Sequence, residues 1–211
     1  MTRVRVHQHV NPLAKYYREL PIEPLDCGKT FENPRLPLHL DIGCGRGRFL
    51  LEMAAMKPGY NFLGVDIREP LVIEANEIRD DRKMTNLHYE FCNATIDLNV
   101  LLRDLPENSL QFVSIQFPDP WFKKRHSKRR MVKDQLVETI YGHLSKEGTV
   151  FIQTDVEFLS AEMVELFEEG GFQRFEIDEN PLPAQTERER SVIGRDLPVY
   201  RAILKKEYEA V

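Results

Sequence analysis

The stretch Leu38-His39-Leu40-Asp41-Ile42-Gly43-Cys44-Gly45-Arg46-Gly47 decides the fold of this chain. Residues 38–42 are mostly apolar and predict a β-strand that ends at a glycine-rich turn. Apolar residues then recur at helical spacing over residues 47–56, and Lys57-Pro58-Gly59 closes that segment. The order of strand, glycine turn and helix is the context in which such a turn holds a ligand against its backbone.

Short apolar runs alternate with amphipathic segments over the rest of the chain. Further strands are predicted over residues 61–66, 87–92, 110–117, 149–154, 172–177 and 199–204. Helices are predicted over residues 69–83, 96–103, 128–144 and 157–169, and a polar loop over residues 180–197. This alternation predicts an α/β fold in which helices cover both faces of a parallel sheet. Ligands of such sheets bind beyond the carboxyl ends of the strands.

Length and composition indicate one globular domain. The 211 residues are 42% hydrophobic and 30% charged, which suits a chain that buries a core of its own. No transmembrane helix or signal peptide is expected, since no long apolar run exists and the start is polar. Three widely spaced cysteines argue against disulfides and a metal site, and favour the cytoplasm. Residues 1–35 predict a mostly irregular basic arm before a domain over residues 36–211.

Charge is distributed unevenly along the chain. The formal net charge of −5 argues weakly against nucleic acid as a partner. However, residues 123–133 carry seven positive charges and no acidic residue, which leaves the remainder at −12. Because seven like charges repel one another unless an anion offsets them, this segment favours an anionic partner.

Carboxylates at two strand ends narrow the choice of ligand for the glycine turn. Arg48 stands where a dinucleotide-binding fingerprint needs glycine, so a nucleoside without a pyrophosphate is favoured. Asp41 can bind an ammonium group, and Asp66 can accept both ribose hydroxyl protons. S-adenosylmethionine offers an ammonium group and a ribose without phosphate. Asn93, at the end of the third strand, either binds the adenine edge or serves only as a turn residue.

The segment Gln116-Phe117-Pro118-Asp119-Pro120-Trp121-Phe122-Lys123-Lys124 follows the fourth strand, where a substrate is expected. Its two prolines fix the backbone around Asp119. Aromatic rings stack on bases and basic residues hold phosphates, so the segment suits RNA. For Trp121 taken alone, burial in the core is favoured over a role in binding.

These motifs resemble the bacterial tRNA (guanine-N7-)-methyltransferase family. The resemblance rests on residues 41–47, 64–67, 93–94, 117–126, 154–157 and 186–189. The glycine turn occurs in many methyltransferases, whereas Pro-Asp-Pro-Trp followed by Lys-Lys is specific to this family. Many members carry aspartate where Asn93 stands, but asparagine keeps a carbonyl acceptor for the adenine amino group.

The resemblance implies a class I S-adenosylmethionine-dependent methyltransferase, with a Rossmann-like, mostly parallel sheet of seven strands. Its substrate would be tRNA, methylated at N7 of guanine 46 in the variable loop, and the protein would be a monomer or homodimer. Asp119 would be catalytic. The cofactor would contact Asp41, Gly43, Gly45, Gly47, Asp66, Asn93 and Asp119. Substrate would bind Lys123, Asp155, Thr186, Glu187, Arg188 and Glu189. The RNA backbone would bind Lys124, Arg125, Lys128, Arg129 and Arg130.

Guanine N7 carries a lone pair and no proton, so attack on a sulfonium methyl group needs alignment more than a general base. Asp119 would either offset the positive charge of the product ring or accept hydrogen bonds from the guanine edge. Asp155 and Glu189 are further candidates to read that edge, and the base is expected to leave its stack. The N-terminal arm would also bind the RNA, through Arg3, Arg5, Lys15 and Arg18, unless the arm is disordered.

Two other functions are compatible with the sequence. A methyltransferase that acts on a small molecule or a protein would leave the basic segment unexplained. An RNA-binding protein without catalytic activity would not need Asp41, Asp66 and Asp119 together.

Overall fold

A computed structural model describes residues 10–207, and seven strands in this range form one sheet. The strands are β1 (Leu38–Ile42), β2 (Asn61–Asp66), β3 (Leu87–Phe91), β4 (Leu110–Gln116), β5 (Thr149–Thr154), β6 (Phe172–Glu176) and β7 (Tyr200–Lys206). The helices are α1 (Lys15–Arg18), α2 (Cys27–Thr30), α3 (Arg48–Met56), α4 (Glu69–Asp81), α5 (Ala94–Leu101), α6 (Asp134–His143), α7 (Glu157–Glu169) and α8 (Glu187–Ile193). A 3₁₀-helix covers Lys124–Arg129.

The strand order is β3-β2-β1-β4-β5-β7-β6, and only β7 runs antiparallel to its neighbours. Every residue of β1 and β2 is buried, as expected for strands with both faces covered. The chain order reverses between β1 and β4. Such a reversal opens a crevice beyond the carboxyl ends of the two strands, and the glycine turn and the Asp119 segment both start there.

Apolar side chains form two buried clusters around the sheet. One cluster joins α5, α6 and α7 to the sheet, and the other joins α3 and α4 to it. Neighbouring residues of β2 alternate between the two, since Phe62 belongs to one cluster and Leu63 to the other. This alternation follows from the two-residue period of a strand, and it confirms the predicted α/β architecture.

The predicted strands agree with the structure to within two residues at each end, but two other predictions were wrong. The helix predicted over residues 128–144 begins only at Asp134, because residues 130–133 turn away from helical geometry while Arg130 bonds the Pro120 carbonyl. The loop predicted over residues 180–197 contains α8. Thr186 caps that helix by accepting the backbone N–H of Glu189 at 3.0 Å.

The described part of the predicted arm, residues 10–35, holds two four-residue helices, α1 and α2. Leu25, Cys27 and Phe31 are buried in the larger apolar cluster. Residues 25–31 are therefore anchored to the core, while Arg3 and Arg5 lie outside the described residues. The boundary at residue 35 stays a prediction. Within residues 10–207, no helix combines the length and apolarity required to cross a bilayer.

Candidate active site

Two clefts open beyond the carboxyl ends of β1, β2 and β4. The first cleft has an empty volume of about 770 Å³ and includes Val65, Asp66 and Asn93 in its lining. The second cleft, of about 1800 Å³, includes Asp41 and Asp155. Both clefts are lined by Gly43, Arg68, Gln116, Phe117, Pro118 and Asp119. These six residues form a shared wall, so a group bound in one cleft lies next to a group bound in the other.

The glycine turn is tied to the end of β2. The backbone N–H groups of Gly43 and Cys44 donate to the Val65 carbonyl at 2.8 and 3.1 Å. Gly47 has a φ of 69°, in the left-handed region, and a Cβ there would lie 2.5 Å from the ring of Tyr89. The Tyr89 hydroxyl in turn donates to the Gly47 carbonyl at 2.6 Å. Packing and backbone geometry both require glycine at this position.

Asp66 faces the first cleft, and its carboxylate already has partners. It accepts the Gly45 backbone N–H at 2.8 Å and the Arg68 Nε and Nη2 groups at 2.8 Å each. The hydrogen bond with Asp66, with a smaller contribution from the charge of Asp119, raises the pKa of Arg68. Sequence reasoning missed Arg68, although a guanidinium two residues after a strand-end carboxylate is a readable signal.

Asp41 is the last of three buried polar side chains that are joined by hydrogen bonds. The Ser114 hydroxyl donates to Asp41 Oδ1 at 2.6 Å, and His39 Nε2 lies 2.8 Å from the same hydroxyl oxygen. Since the hydroxyl proton goes to Asp41, His39 must donate from Nε2 to complete the second bond. Burial raises the pKa of Asp41 to about 6, against the opposing bonds from Ser114 and Gln116. Burial lowers the pKa of His39 to about 3, so its ring is neutral.

Asn93 is 2% exposed and lies between the first cleft and the N-terminal segment. Its Nδ2 group donates to the Pro12 carbonyl at 3.0 Å and to the Tyr17 carbonyl at 2.9 Å. In residues 10–207, no hydrogen bond to Asn93 Oδ1 is found. The amide therefore has two functions. Its Nδ2 group holds the N-terminal segment, while its Oδ1 atom remains available to a ligand.

Asp119 lies on the shared wall in a segment with unusual backbone geometry. Phe117 and Trp121, on either side of it, have φ values of 50° and 46°, which are uncommon for residues other than glycine. The Phe117 N–H donates to the Gln153 carbonyl at 2.8 Å and so ties the segment to β5. Such strained positions cluster at functional sites, where the surrounding structure holds them.

Trp121 is only partly buried and lines the first cleft. The expectation that it anchors the core was therefore wrong. The guanidinium of Arg129 lies 5.0 Å from the Trp121 ring centroid, and the His126 ring packs against it edge-on at 5.8 Å. These contacts attach the 3₁₀-helix to the wall of the cleft.

The basic segment divides into an exposed part and an inward part. Lys123, Lys124, Arg125 and Lys128 are exposed. The side chain of Arg130 is only 11% exposed, because it pairs with Glu162 and donates to the Pro120 carbonyl at 2.9 Å. Its predicted role in holding the RNA backbone therefore conflicts with the structure, which uses this guanidinium to join α7 to the Asp119 segment.

An exposed aromatic pair lies on the second cleft. Phe122 is 69% and Phe158 42% exposed, and their ring centroids are 5.9 Å apart. The Arg130 guanidinium packs over the Phe158 ring, 5.1 Å from its centroid. Sequence reasoning missed Phe158, because α7 and the Asp119 segment are far apart in the chain.

The α8 segment forms the far side of the second cleft. Arg188 pairs with Asp155, and Glu187 pairs with Arg48. Thr186, Glu187, Arg188 and Asp155 all line this cleft.

Glu189 differs from the other predicted substrate-binding residues of α8. It is fully buried and bonds to Arg201 at 3.0 Å, to Gln153 at 3.1 Å and to Asn180 at 2.8 Å. Its predicted reading of a base edge therefore conflicts with the structure, since the carboxylate is satisfied within the protein.

Residues 35–202 match a family described as a putative methyltransferase. The chain is 51% identical over 208 residues to the tRNA (guanine-N(7)-)-methyltransferase of Trichormus variabilis, with 96% of each chain covered.

Two solved structures share the fold at low identity. The precorrin-6y C5,15-methyltransferase of Geobacter metallireducens has a TM-score of 0.57 at 14% identity, with 86% of each chain covered. PKMT2 from Rickettsia typhi, in complex with AdoHcy, also has a TM-score of 0.57, at 12% identity. That match covers 87% of this chain and 52% of PKMT2. These likenesses confirm the predicted methyltransferase fold.

Proposed function

The chain belongs to the tRNA (guanine-N(7)-)-methyltransferase family, and from that premise we propose that it transfers a methyl group from S-adenosylmethionine to guanine N7 in tRNA. The resemblance found in the sequence is thereby confirmed. The observation that carries the proposal is the shared wall, where Asp119 lines both clefts. The finer target that we propose is guanine 46 of the variable loop.

Polar groups of the first cleft and of the adjoining part of the second match those of the methyl donor. Asn93 Oδ1 is available to accept the adenine amino group, and Asp66 lies where ribose hydroxyls can be bound. Asp41 lies beyond Gly43, on the second cleft, and would hold the ammonium group of the methionine portion. The donor, when bound, supplies a methyl group on a sulfonium centre. Ribose hydroxyls must share Asp66 with Arg68, which already donates to it.

The second cleft provides surfaces for an unstacked base. Exposed aromatic side chains such as Phe122 and Phe158 bind bases by stacking, which contributes about 1–3 kcal/mol per base. A guanine on these rings would lie next to Asp119, which lines the same cleft. The carboxylate would then offset the positive charge that develops on the imidazole ring. A competing role for Asp119 is to accept hydrogen bonds from the guanine N1–H and amino groups.

The exposed cations after Asp119 would hold the RNA backbone. Lys123, Lys124, Arg125 and Lys128 follow Phe122, which lines the second cleft, and all but Lys123 lie on the 3₁₀-helix. Lysine and arginine bind phosphates without regard to sequence and so position a nucleic acid. We further propose that Asp155, Thr186, Glu187 and Arg188 bind the nucleotide on the opposite side of the cleft.

Labelled S-adenosylmethionine, incubated with an unmodified tRNA transcript and the protein, tests this function. Nucleoside analysis should find label in 7-methylguanosine, and a transcript with adenine at position 46 should receive none. A transcript with inosine at that position lacks the exocyclic amino group. It should still be methylated if Asp119 offsets charge, and should lose most methylation if Asp119 reads the amino group. Label in any nucleoside of the unmodified transcript other than 7-methylguanosine would contradict the proposal.

A further inference from the structure

Residues 10–18, here termed the strap, lie against the first cleft. Val10 and Pro12 are part of its lining, together with Asn93. No strap residue is fully buried, so apolar packing holds it only weakly to the body of the protein. Within the strap, the Ala14 N–H donates to the Asn11 carbonyl at 3.1 Å, which shapes a turn.

Hydrogen bonds from the body fix the strap at separate points. The single amide of Asn93 reaches two strap carbonyls, those of Pro12 and Tyr17, at 3.0 and 2.9 Å. A second attachment is made by Tyr16, whose hydroxyl donates to Glu69 at 3.3 Å and whose ring stacks on Phe91 at 6.4 Å. Asn93 is buried, whereas the Tyr16 attachment is exposed, so the amide makes the better-protected contact.

We propose that Asn93 is a positioning residue that couples closure of the strap to binding of the methyl donor. The Nδ2 group keeps the strap against the cleft, while Oδ1 of the same amide accepts the adenine amino group. A ligand that fixes Oδ1 also fixes the rotamer that presents both N–H groups to the strap. By linkage, donor binding then closes the strap, and a closed strap tightens donor binding by the same factor. This coupling rests on the proposed function, which places the donor in the first cleft.

The variant Asn93→Asp separates the acceptor function of the Asn93 amide from its donor function. Aspartate retains an oxygen that can accept the adenine amino group, but it presents acceptors in place of donors to the carbonyls of Pro12 and Tyr17. Calorimetry with S-adenosylhomocysteine at about pH 8, well above the ordinary pKa of an aspartate, should show Kd raised about tenfold or more. The KM for the methyl donor should rise similarly with little change in kcat.

Limited trypsin digestion reports on the strap itself, because Lys15 and Arg18 are cleavage sites within it. In the wild-type protein, S-adenosylhomocysteine at about 100 times its Kd should slow cleavage at both sites at least about tenfold. In Asn93→Asp the ligand, again at about 100 times its Kd, should give little protection. Asn99→Asp places the same charge on an exposed residue of α5 and should behave as wild type.

If Asn93→Asp folds poorly, the variant Tyr16→Phe still tests the coupling between the strap and donor binding. It removes only the hydroxyl bond to Glu69, so it should speed cleavage and raise Kd by a smaller factor. Unchanged Kd and unchanged protection in every variant that folds would overturn the coupling. Raised Kd with full protection of the strap would also overturn it, since the amide would then act on the ligand alone. If the wild-type protein bound no S-adenosylhomocysteine, the proposed function would fail first.

Discussion

The two clefts are built by different means. The walls of the first cleft come from strand ends and backbone, and its key groups, Asp66 and Asn93, are almost fully buried. The second cleft is rimmed by exposed cations, exposed aromatic rings and surface ion pairs such as Arg48–Glu187. Binding by buried groups depends on packing and on pH, while binding by exposed charges depends on the salt concentration. Donor binding and tRNA binding should therefore fail under different perturbations, except at the shared wall.

Asp119→Ala should produce the largest change, because Asp119 lines both clefts. Loss of one preorganised charge at the reacting centre typically lowers kcat about 100- to 1,000-fold. The Kd for S-adenosylhomocysteine should change much less than kcat, since Asn93, Asp66 and the glycine turn are untouched. Single-turnover methylation and calorimetry check the two halves of this prediction. If the variant turned over as fast as the wild type, Asp119 would have no role in the reaction.

Gly47→Ala should destabilise the glycine turn, of which Gly43 lines both clefts. The added Cβ would meet the Tyr89 ring at 2.5 Å and would sit at a φ of 69°. Together, overpacking and left-handed geometry should cost about 3 kcal/mol of unfolding free energy. Gly142→Ala is the matched control, since a Cβ at that helical position meets nothing within 4 Å. Equal urea midpoints for the two variants would show that the turn tolerates a side chain.

Replacing Lys124, Arg125 and Lys128 together by alanine should weaken tRNA binding without altering donor binding. Each lost phosphate contact flattens the slope of log K against log salt by about 0.7–0.9. Filter binding over a salt series should therefore show a slope reduced by about 2–3, provided that all three cations contact phosphates. Arg130→Ala serves as a contrast, because this largely covered side chain pairs with Glu162 and should affect stability more than the slope. An unchanged slope in the triple variant would place the RNA elsewhere.

The smallest predicted effect concerns the pH dependence of donor binding. Asp41, whose pKa is about 6, is ionised above that pH and neutral below it. The affinity for S-adenosylhomocysteine should therefore fall as pH decreases through about 6, by at most about tenfold per unit. Ser114→Ala removes a bond that lowers the Asp41 pKa, so the midpoint should move to higher pH. Asp41→Asn should bind more weakly and show no such midpoint.

The first cleft was largely predictable from the sequence, because its groups are local to strand ends. Asp41, Asp66 and Asn93 end or follow three parallel strands, and the carboxyl ends of such strands meet at one edge. The glycine turn between β1 and α3 was equally readable. What could not be predicted is that Arg68 already holds Asp66, or that Asn93 holds the strap across 76 and 81 residues of chain.

The second cleft was less predictable, because long-range pairing determines which charges face it. Arg130 and Glu189 have the residue types expected of substrate-binding groups. Their partners Glu162 and Gln153 lie 32 and 36 residues away, and the pairing turns both side chains inward. The sequence also favours a buried Trp121, whereas the 3₁₀-helix packs against its ring at the edge of the first cleft. A charge run indicates a binding surface but not which of its members are free to bind.

Methyl transfer where the two clefts meet is tested most directly by a structure of the protein with S-adenosylhomocysteine and tRNA. The sulfur atom should lie in the first cleft and the target guanine on Phe122 and Phe158 in the second. Guanine N7 should face the sulfur across the wall at Asp119. A guanine bound outside the second cleft, or a sulfur atom that does not face Asp119, would show that transfer does not occur where the two clefts meet.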